Sequence, residues 1–471
     1  MAETTSPAQN WRETAPGWLG EPWPANLTRA DDGAMMLAGQ RLDDLATEVG
    51  TPAYLVDEND FKGRARAYRD AFTQAFEAIG TKVALFYAGK ANLNKTLARW
   101  AAQESFGIDT TSSGELTTAL AAGVPGERIA LHGNNKSREE LEQAIAAGVG
   151  HIIVDSLPEI ELVAEVAAAA GKSQPVLVRV TTGVHAGGHE YISTAHEDQK
   201  FGLSVNPAPG ESESAAMTAV LKVLEQPSLE LLGLHSHIGS QILDSAGFKA
   251  AAQALVKLAA DIYRRRSVAI KELDLGGGFG IAYLPGQTSL DPRAAAYTIA
   301  GAVGDACHAL GIPVPKIAFE PGRSLIGGAG ITLYSVGTIK QVSVKAKDGT
   351  VFPRLYVSVD GGMSDNMRPM LYEAEYHAEL ANRVSDAPPV LARIVGKHCE
   401  SGDILIRSIK LPGDIKRGDL IAVAATGAYG RSMASNYNMI PRPPVVAVNE
   451  SGATVLVRRE TVADILGLDQ G

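Results

Sequence analysis

Between about Thr81 and Leu325 one pattern keeps returning: a short apolar run, a polar or glycine-rich end, then a stretch rich in Ala, Leu and Glu. The apolar runs are Val83 to Ala88, Phe106 to Asp109, Ile129 to His132, His151 to Asp155, Val176 to Val180, Leu231 to His235, Glu272 to Leu275 and Lys316 to Phe319. Eight such strand–helix units predict an α/β fold of the (β/α)8 barrel type, which they fit better than an open doubly wound sheet. Local chemistry supports the intervening helices. Ser113 is placed to cap a helix over Glu115 to Ala122, Ser137 with Glu140 has the form of a capping box, and Gly123 and Gly148 can supply left-handed ends.

After Leu325 the texture changes to β-branched stretches, Ile331 to Ile339, Leu355 to Val359, Val390 to Val395 and Leu420 to Ala424, which predict a mainly β domain. The N-terminal stretch, with Trp11, Trp18 and Trp23, has too little periodicity for a core of its own. The predicted organisation is therefore an N-terminal segment over 1–56 that packs on the β domain, a barrel over 57–325 and the mainly β domain over 326–471. A chain of 471 residues, 45% hydrophobic, can bury cores of that size. Its formal net charge of -10 argues against nucleic acid and anionic membranes as partners, which leaves a small molecule. Cys307 and Cys399 are too few for a disulfide framework, Met1 to Ser6 lacks the basic and apolar regions of a signal peptide, and no apolar segment reaches the ~20 residues of a membrane helix. A soluble, cytoplasmic protein is expected.

In a barrel of this kind chemistry is built from the C-terminal ends of the strands. In chain order those ends offer Lys90, Asp109, His132, Asp155, Arg179, His237 with Ser240, Gly276 to Gly278, and Glu320 with Arg323. Lys90 ends the run Lys82 to Asn92, where partial desolvation is expected and would let a neutral amine attack an aldehyde to form a Schiff base. That chemistry suggests pyridoxal phosphate; a lysine snorkelling to solvent is the plain alternative. Gly276, Gly277 and Gly278 are expected to leave backbone N–H groups open and, with Gly322 and Arg323, to cradle a phosphate, unless they only mark a close-packed corner. Glu320 follows Ile317 to Phe319, so its carboxylate should lie deep and need a cation, either a protonated pyridine nitrogen or a local ion pair with Arg323. His237 could pack against a flat cofactor while Ser240 bonds the phosphate. The same segment offers a rival, because His235 and His237 on one strand could bind zinc as in metal-dependent barrel hydrolases.

Further motifs join these: Gly107 to Glu115, His132 to Ser137, Gly188 to Thr194, Lys200 to Gly202, His237 to Gln241, Arg368 to Tyr372, Cys399 to Asp403 and Gly427 to Tyr429. With them the chain resembles the diaminopimelate decarboxylases, within the fold-type III pyridoxal-phosphate decarboxylases. The resemblance implies that Lys90 carries the cofactor and that His237 stacks on its ring. It implies further that Glu320 pairs with the pyridine nitrogen and that Asp109, Ser240, Gly277, Gly278, Gly322, Arg323 and Tyr429 help to hold it. The implied reaction is loss of CO2 from meso-2,6-diaminopimelate to give L-lysine, the last step of lysine biosynthesis. Arg323, Arg368, Tyr372, Glu400 and Tyr429 look like the substrate contacts, since an arginine can clamp the distal carboxylate and Glu400 can meet the distal ammonium. In related decarboxylases a cysteine at the position of Cys399 comes across a dimer interface to protonate the carbanion, which implies a homodimer with shared sites. A decarboxylase for ornithine, arginine or another basic amino acid is the runner-up. One departure from the family pattern is Gly89, where a bulkier apolar residue is expected; it should leave a gap or extra backbone freedom beside Lys90.

Overall fold

A computed structural model describes residues 11–184 and 199–471. All eight predicted runs are strands: β1 (Val83–Ala88), β2 (Gly107–Thr110), β3 (Ile129–Leu131), β4 (His151–Val154), β5 (Gln174–Thr181), β6 (Leu229–His235), β7 (Glu272–Asp274) and β8 (Lys316–Phe319). They pair in parallel around a closed ring, from Phe86 opposite Gly107 between β1 and β2 to Ile317 opposite Val83 between β8 and β1. Closure follows from side-chain alternation on each strand. The inward set Phe86, Ala130, Ile153, Leu177 and Ala318, backed by Ala84 and Leu232, fills the barrel axis. Outward residues meet the helices, and aromatic rings dominate one seam: Phe72 lies 4.6 Å from Phe319 and 5.6 Å from Phe279, and Phe248 stacks on Phe279 at 4.6 Å.

The helix after β4, Leu157–Ala169, starts from the Ser156 cap, and the helix Arg138–Ala147 carries the complete capping box of Ser137 and Glu140, ending at Gly148 with φ 68°. The helix after β2 departs from expectation by one residue. Its cap is Ser112, whose Oγ accepts from the Glu115 N–H at 3.3 Å, and Ser113 is already helical. Only Ser112 has the extended backbone, at φ -149° and ψ 164°, that aims a cap oxygen back at the first turn.

The chain divides into two compact units. One contains Ala65–Gly280 and Leu290–Gly322, and so the barrel strands; the other contains Arg12–Arg64, Ile281–Ser289 and Arg323–Gly471. The second unit is built on a sheet in which the long strand β9 (Gly330–Lys345) pairs antiparallel with Val351–Val359, with Leu420–Val423 and with Ala53–Asp57. Trp23, Leu27, Met35 and Leu37 share a core with Ile331, Leu333, Ala422, Val446 and Val448 in this unit. Tyr334, Val357, Ile394 and Ile421 form a second core on the sheet. Among the described residues no helix is long and apolar enough to cross a membrane.

Candidate active site

The C-terminal ends of the barrel strands gather a buried cluster of carboxylates and imidazoles. Glu320 directly follows β8, and its Oε1 lies 3.0 Å from Nε2 of His132 after β3 and 3.2 Å from Nε2 of His235 at the end of β6. The same His132 nitrogen is 3.2 Å from Oδ1 of Asp109 on β2. These atoms are in contact but out of line, so none of the four completes a hydrogen bond among the described residues. Asp274, fully buried at the end of β7, accepts through Oδ1 from the Gly276 N–H at 2.8 Å, and its Oδ2 has no partner among the described residues.

Burial sets the charge states. It holds His132 and His235 neutral, with His132 pushed down to about 3. Asp109 and Asp274 are raised well above the carboxylate range, first by burial and then by repulsion from Glu320. Burial pushes Glu320 up as well, but the imidazoles of His132 and His235 outweigh it and keep the carboxyl ionised. Neutral imidazoles lend N–H dipoles, not a full counter-charge. One anion is thus concentrated on Glu320, in a pocket arranged to receive a cation.

Lys90 stands on a short turn, Gly89–Ala91, that follows β1 and is pinned by the Tyr87 hydroxyl donating to the Asn92 carbonyl at 2.6 Å. Its side chain is exposed, which corrects the expectation of a partly desolvated amine: the turn lifts it clear of the strand end. Its charge still reaches the cluster, opposing the rise of Asp109 and adding to burial in pulling His237 down. The expected gap at Gly89 is absent. A Cβ there would lie 2.8 Å from the Asp109 carbonyl oxygen and 3.2 Å from the Leu93 side chain, so neighbouring backbone already fills the space. Gly322 packs against the same turn, where a Cβ would come within 2.9 Å of the Ala88 Cβ.

The glycine run also differs from expectation. The Gly276 N–H goes to Asp274 and the Gly277 N–H to Nδ1 of His237 at 3.3 Å, so two of the three donors are used inside the protein. A Cβ on Gly277 would lie 2.2 Å from the Glu320 carbonyl oxygen and one on Gly278, at φ +110°, 2.4 Å from that of Gly239. These glycines mark a close-packed corner. The bond from Gly277 fixes the tautomer of His237, since an accepting Nδ1 leaves the proton on Nε2. Ser240 is exposed. Of the rival zinc pair, His235 falls in a group of three possible metal-ligand residues among the described residues, with His132 and Glu320, whose ligand atoms lie within 4.8 Å of one another. On the rim, Arg179 sits 4.0 Å from Asp155 and covers the Phe201 ring at 4.3 Å. The motif Gly188 to Thr194 lies outside the described residues.

The second unit carries the other predicted residues in two groups. Arg323 and Arg368 both donate to the Tyr283 hydroxyl, Arg368 at 2.9 Å, and Arg368 also donates to the Tyr376 hydroxyl at 2.6 Å. Tyr429, at φ +61°, lies under Arg323 at 4.8 Å. Tyr372 is 62% exposed and outside this cluster. Cys399 and Glu400 are exposed on the turn 396–403, where the Cys399 N–H donates to the Asn438 side chain at 3.0 Å and Glu400 accepts from the Gly402 N–H at 3.2 Å. The turn is organised by Asp403, whose carboxylate accepts from the Met363 N–H, the His398 N–H and His398 Nδ1 at 2.7, 2.9 and 2.8 Å.

Sequence reasoning passed over Asp274, Tyr283 and Tyr376. Asp274 had a signal, as the carboxylate within the short run that leads into the glycines. The tyrosines had none, because they belong to no strand end and no periodic face.

Pyridoxal phosphate fits the barrel cluster on this geometry: an ionised carboxylate flanked by two neutral imidazoles suits a pyridinium nitrogen, a neutral His237 suits stacking, and Lys90 supplies an accessible amine. Residues 60–327 match the family model described as "Pyridoxal-dependent decarboxylase, pyridoxal binding domain". The chain is 50% identical over 451 residues to the diaminopimelate decarboxylase of Mycobacterium tuberculosis, covering 95% of this chain and 97% of that one. It is 46% identical to that of Bacillus subtilis, covering 90% and 92%. Among solved structures, diaminopimelate decarboxylase from M. jannaschii in complex with L-lysine aligns with a TM-score of 0.85 and 32% identity, covering 95% of this chain and 98% of that one. With a cation-seeking carboxylate in the barrel mouth and likeness along nearly its whole length, the chain belongs to the diaminopimelate decarboxylases, a family of pyridoxal-dependent decarboxylases.

Proposed function

We propose that the protein decarboxylates meso-2,6-diaminopimelate to L-lysine with pyridoxal 5'-phosphate. The observation that carries this reading is the buried Glu320 carboxylate, ionised between two neutral imidazoles and lacking a full counter-charge. When bound, the cofactor supplies an electron sink that stabilises the carbanion left by CO2. Lys90 anchors it through its amine. Glu320 holds the proton of the ring nitrogen in place, and Asp109 and Asp274, kept protonated, add no second negative charge to compete with it. His237 covers the ring as a neutral imidazole. Ser240, Gly278, Gly322 and Tyr429 hold the phosphate, with Gly277 acting through His237.

Arg323 and Arg368 take the distal carboxylate, flanked by Tyr372 and Tyr429, and Glu400 takes the distal ammonium. That end of the substrate is itself an amino acid, which separates it from ornithine. Cys399 would supply the proton that takes the place of CO2 on the substrate carbon. Its exposure, with Leu371, Tyr372, Tyr437 and Met439 also exposed, supports a homodimer in which Cys399 and Glu400 complete the partner's site. The domain division at residues 56 and 325 and a cytoplasmic location belong to the same reading.

The test is product analysis with added cofactor and meso-diaminopimelate, ornithine or arginine in parallel. CO2 and L-lysine are expected from the first alone, and Lys90→Ala should lose both turnover and visible cofactor absorbance. Preferential release of CO2 from ornithine or arginine would overturn the substrate assignment.

A further inference from the structure

The most unusual electrostatic arrangement outside the barrel cluster is the pair of guanidiniums in the second unit. Arg368 is 7% exposed, and among the described residues no carboxylate lies within ion-pair distance of it. Two like charges brought together out of water repel, so something else must hold them. Three tyrosines surround them. The Tyr283 hydroxyl accepts from Nη1 of Arg323 and, at 2.9 Å, from Nη1 of Arg368. The Tyr376 hydroxyl accepts from the same Arg368 nitrogen at 2.6 Å. Ring faces complete the enclosure: the Arg368 Cζ lies 5.1 Å from the Tyr283 ring, 5.7 Å from Tyr376 and 5.9 Å from Tyr429. Tyr283 and Tyr376 meet edge to face at 5.3 Å and 87°, which fixes both rings.

The choice of tyrosine has a chemical consequence. An aspartate or glutamate at either position would hold the guanidiniums more strongly but would neutralise them. A phenol accepts hydrogen bonds without bringing a charge, so it leaves the positive charge of Arg368 in place. The Tyr283 oxygen spends its lone pairs on the two arginines, which ties their orientations to one another. Burial raises the Tyr376 hydroxyl above its ordinary range, with Tyr283 adding to the rise, so it stays a neutral phenol at any physiological pH.

We propose that Tyr283 and Tyr376 are positioning residues that join Arg323 and Arg368 into one preorganised clamp selective for the distal carboxylate of the substrate. The inference deepens the proposed function and rests on its assignment of the two arginines to that carboxylate. Neither tyrosine reacts. Each sets the angle of a guanidinium before the ligand arrives, so less ordering remains to be done on binding.

L-Lysine and cadaverine form the discriminating pair, since cadaverine is lysine without its carboxylate. Inhibition by each is measured on the holoenzyme, for the wild type and for Tyr283→Phe and Tyr376→Phe, together with KM and kcat for meso-diaminopimelate. Both variants keep the ring and remove only the hydroxyl. Each should raise KM and weaken L-lysine about tenfold, the loss of a hydrogen bond to a charged group, with cadaverine and kcat unchanged. A parallel weakening of both amines, as general loosening would give, overturns the inference, and so does no change in either. A wild type that turns over another substrate and favours cadaverine over L-lysine would instead defeat the substrate assignment.

Discussion

At the scale of single residues, contacts decide more than composition. Gly89 reads in the sequence as a gap beside Lys90, yet its missing Cβ is the space occupied by the Asp109 carbonyl, 2.8 Å away, and by Leu93. Gly89→Ala should therefore push the Lys90 turn off β2, cost roughly 1–3 kcal/mol from overpacking and lower activity more than stability. Urea unfolding beside turnover measures both; a neutral variant would mean the turn relaxes freely. His132 carries a second consequence. In the unfolded chain an imidazole takes a proton near pH 6.5, whereas the folded His132 refuses it until about 3. The unfolded state binds more protons across that window, so stability falls as pH drops from about 6.5 to about 3. His132→Gln, which cannot titrate, should flatten the decline in urea midpoints between pH 7 and pH 4. The residue types at the strand ends were legible in the sequence because each follows an apolar run. Their charge states were not, since His132 is neutral through burial in the assembled barrel mouth, against the pull toward protonation of Glu320 from a different strand.

At the scale of elements, the strands and the capping box of Ser137 were readable because alternation and capping are local. The cap at Ser112 was misplaced by one position because two serines stand side by side and only backbone geometry distinguishes them. The turn 396–403 shows where local reading stops. Asp403 shares a sequence motif with Cys399 and Glu400, but its carboxylate faces back to the Met363 and His398 amides and the His398 ring. It is the brace of the turn. Asp403→Ala leaves those buried donors unmatched, for an expected loss of about 2–4 kcal/mol, and should depress turnover further by releasing Cys399 and Glu400. Thermal melts and kcat measured together would separate the two effects; an unaffected kcat would show that the turn needs no brace.

For the whole molecule, counting strand–helix units is enough to reach a barrel, because each unit is a local signal repeated. That Ile281–Ser289 belongs with Arg12–Arg64 and Arg323–Gly471 is not legible, since only long-range packing assigns it. The proposed homodimer with shared sites makes a quantitative prediction at this scale. Lys90→Ala and Cys399→Ala homodimers should each be nearly inactive, and equal mixing with subunit exchange should restore about a quarter of wild-type turnover, because half the dimers are mixed and each has one intact site. No recovery after demonstrated exchange would place Cys399 in its own subunit's site.

The plug of Phe86, Ala130, Ile153, Leu177 and Ala318 along the barrel axis has one more consequence. A vessel stoppered at its base gives no passage along its axis, so traffic in both directions uses the mouth. L-Lysine leaving and diaminopimelate arriving must then take turns, so inhibition by product should be purely competitive, and a drop in maximal velocity at saturating substrate would reveal a back exit.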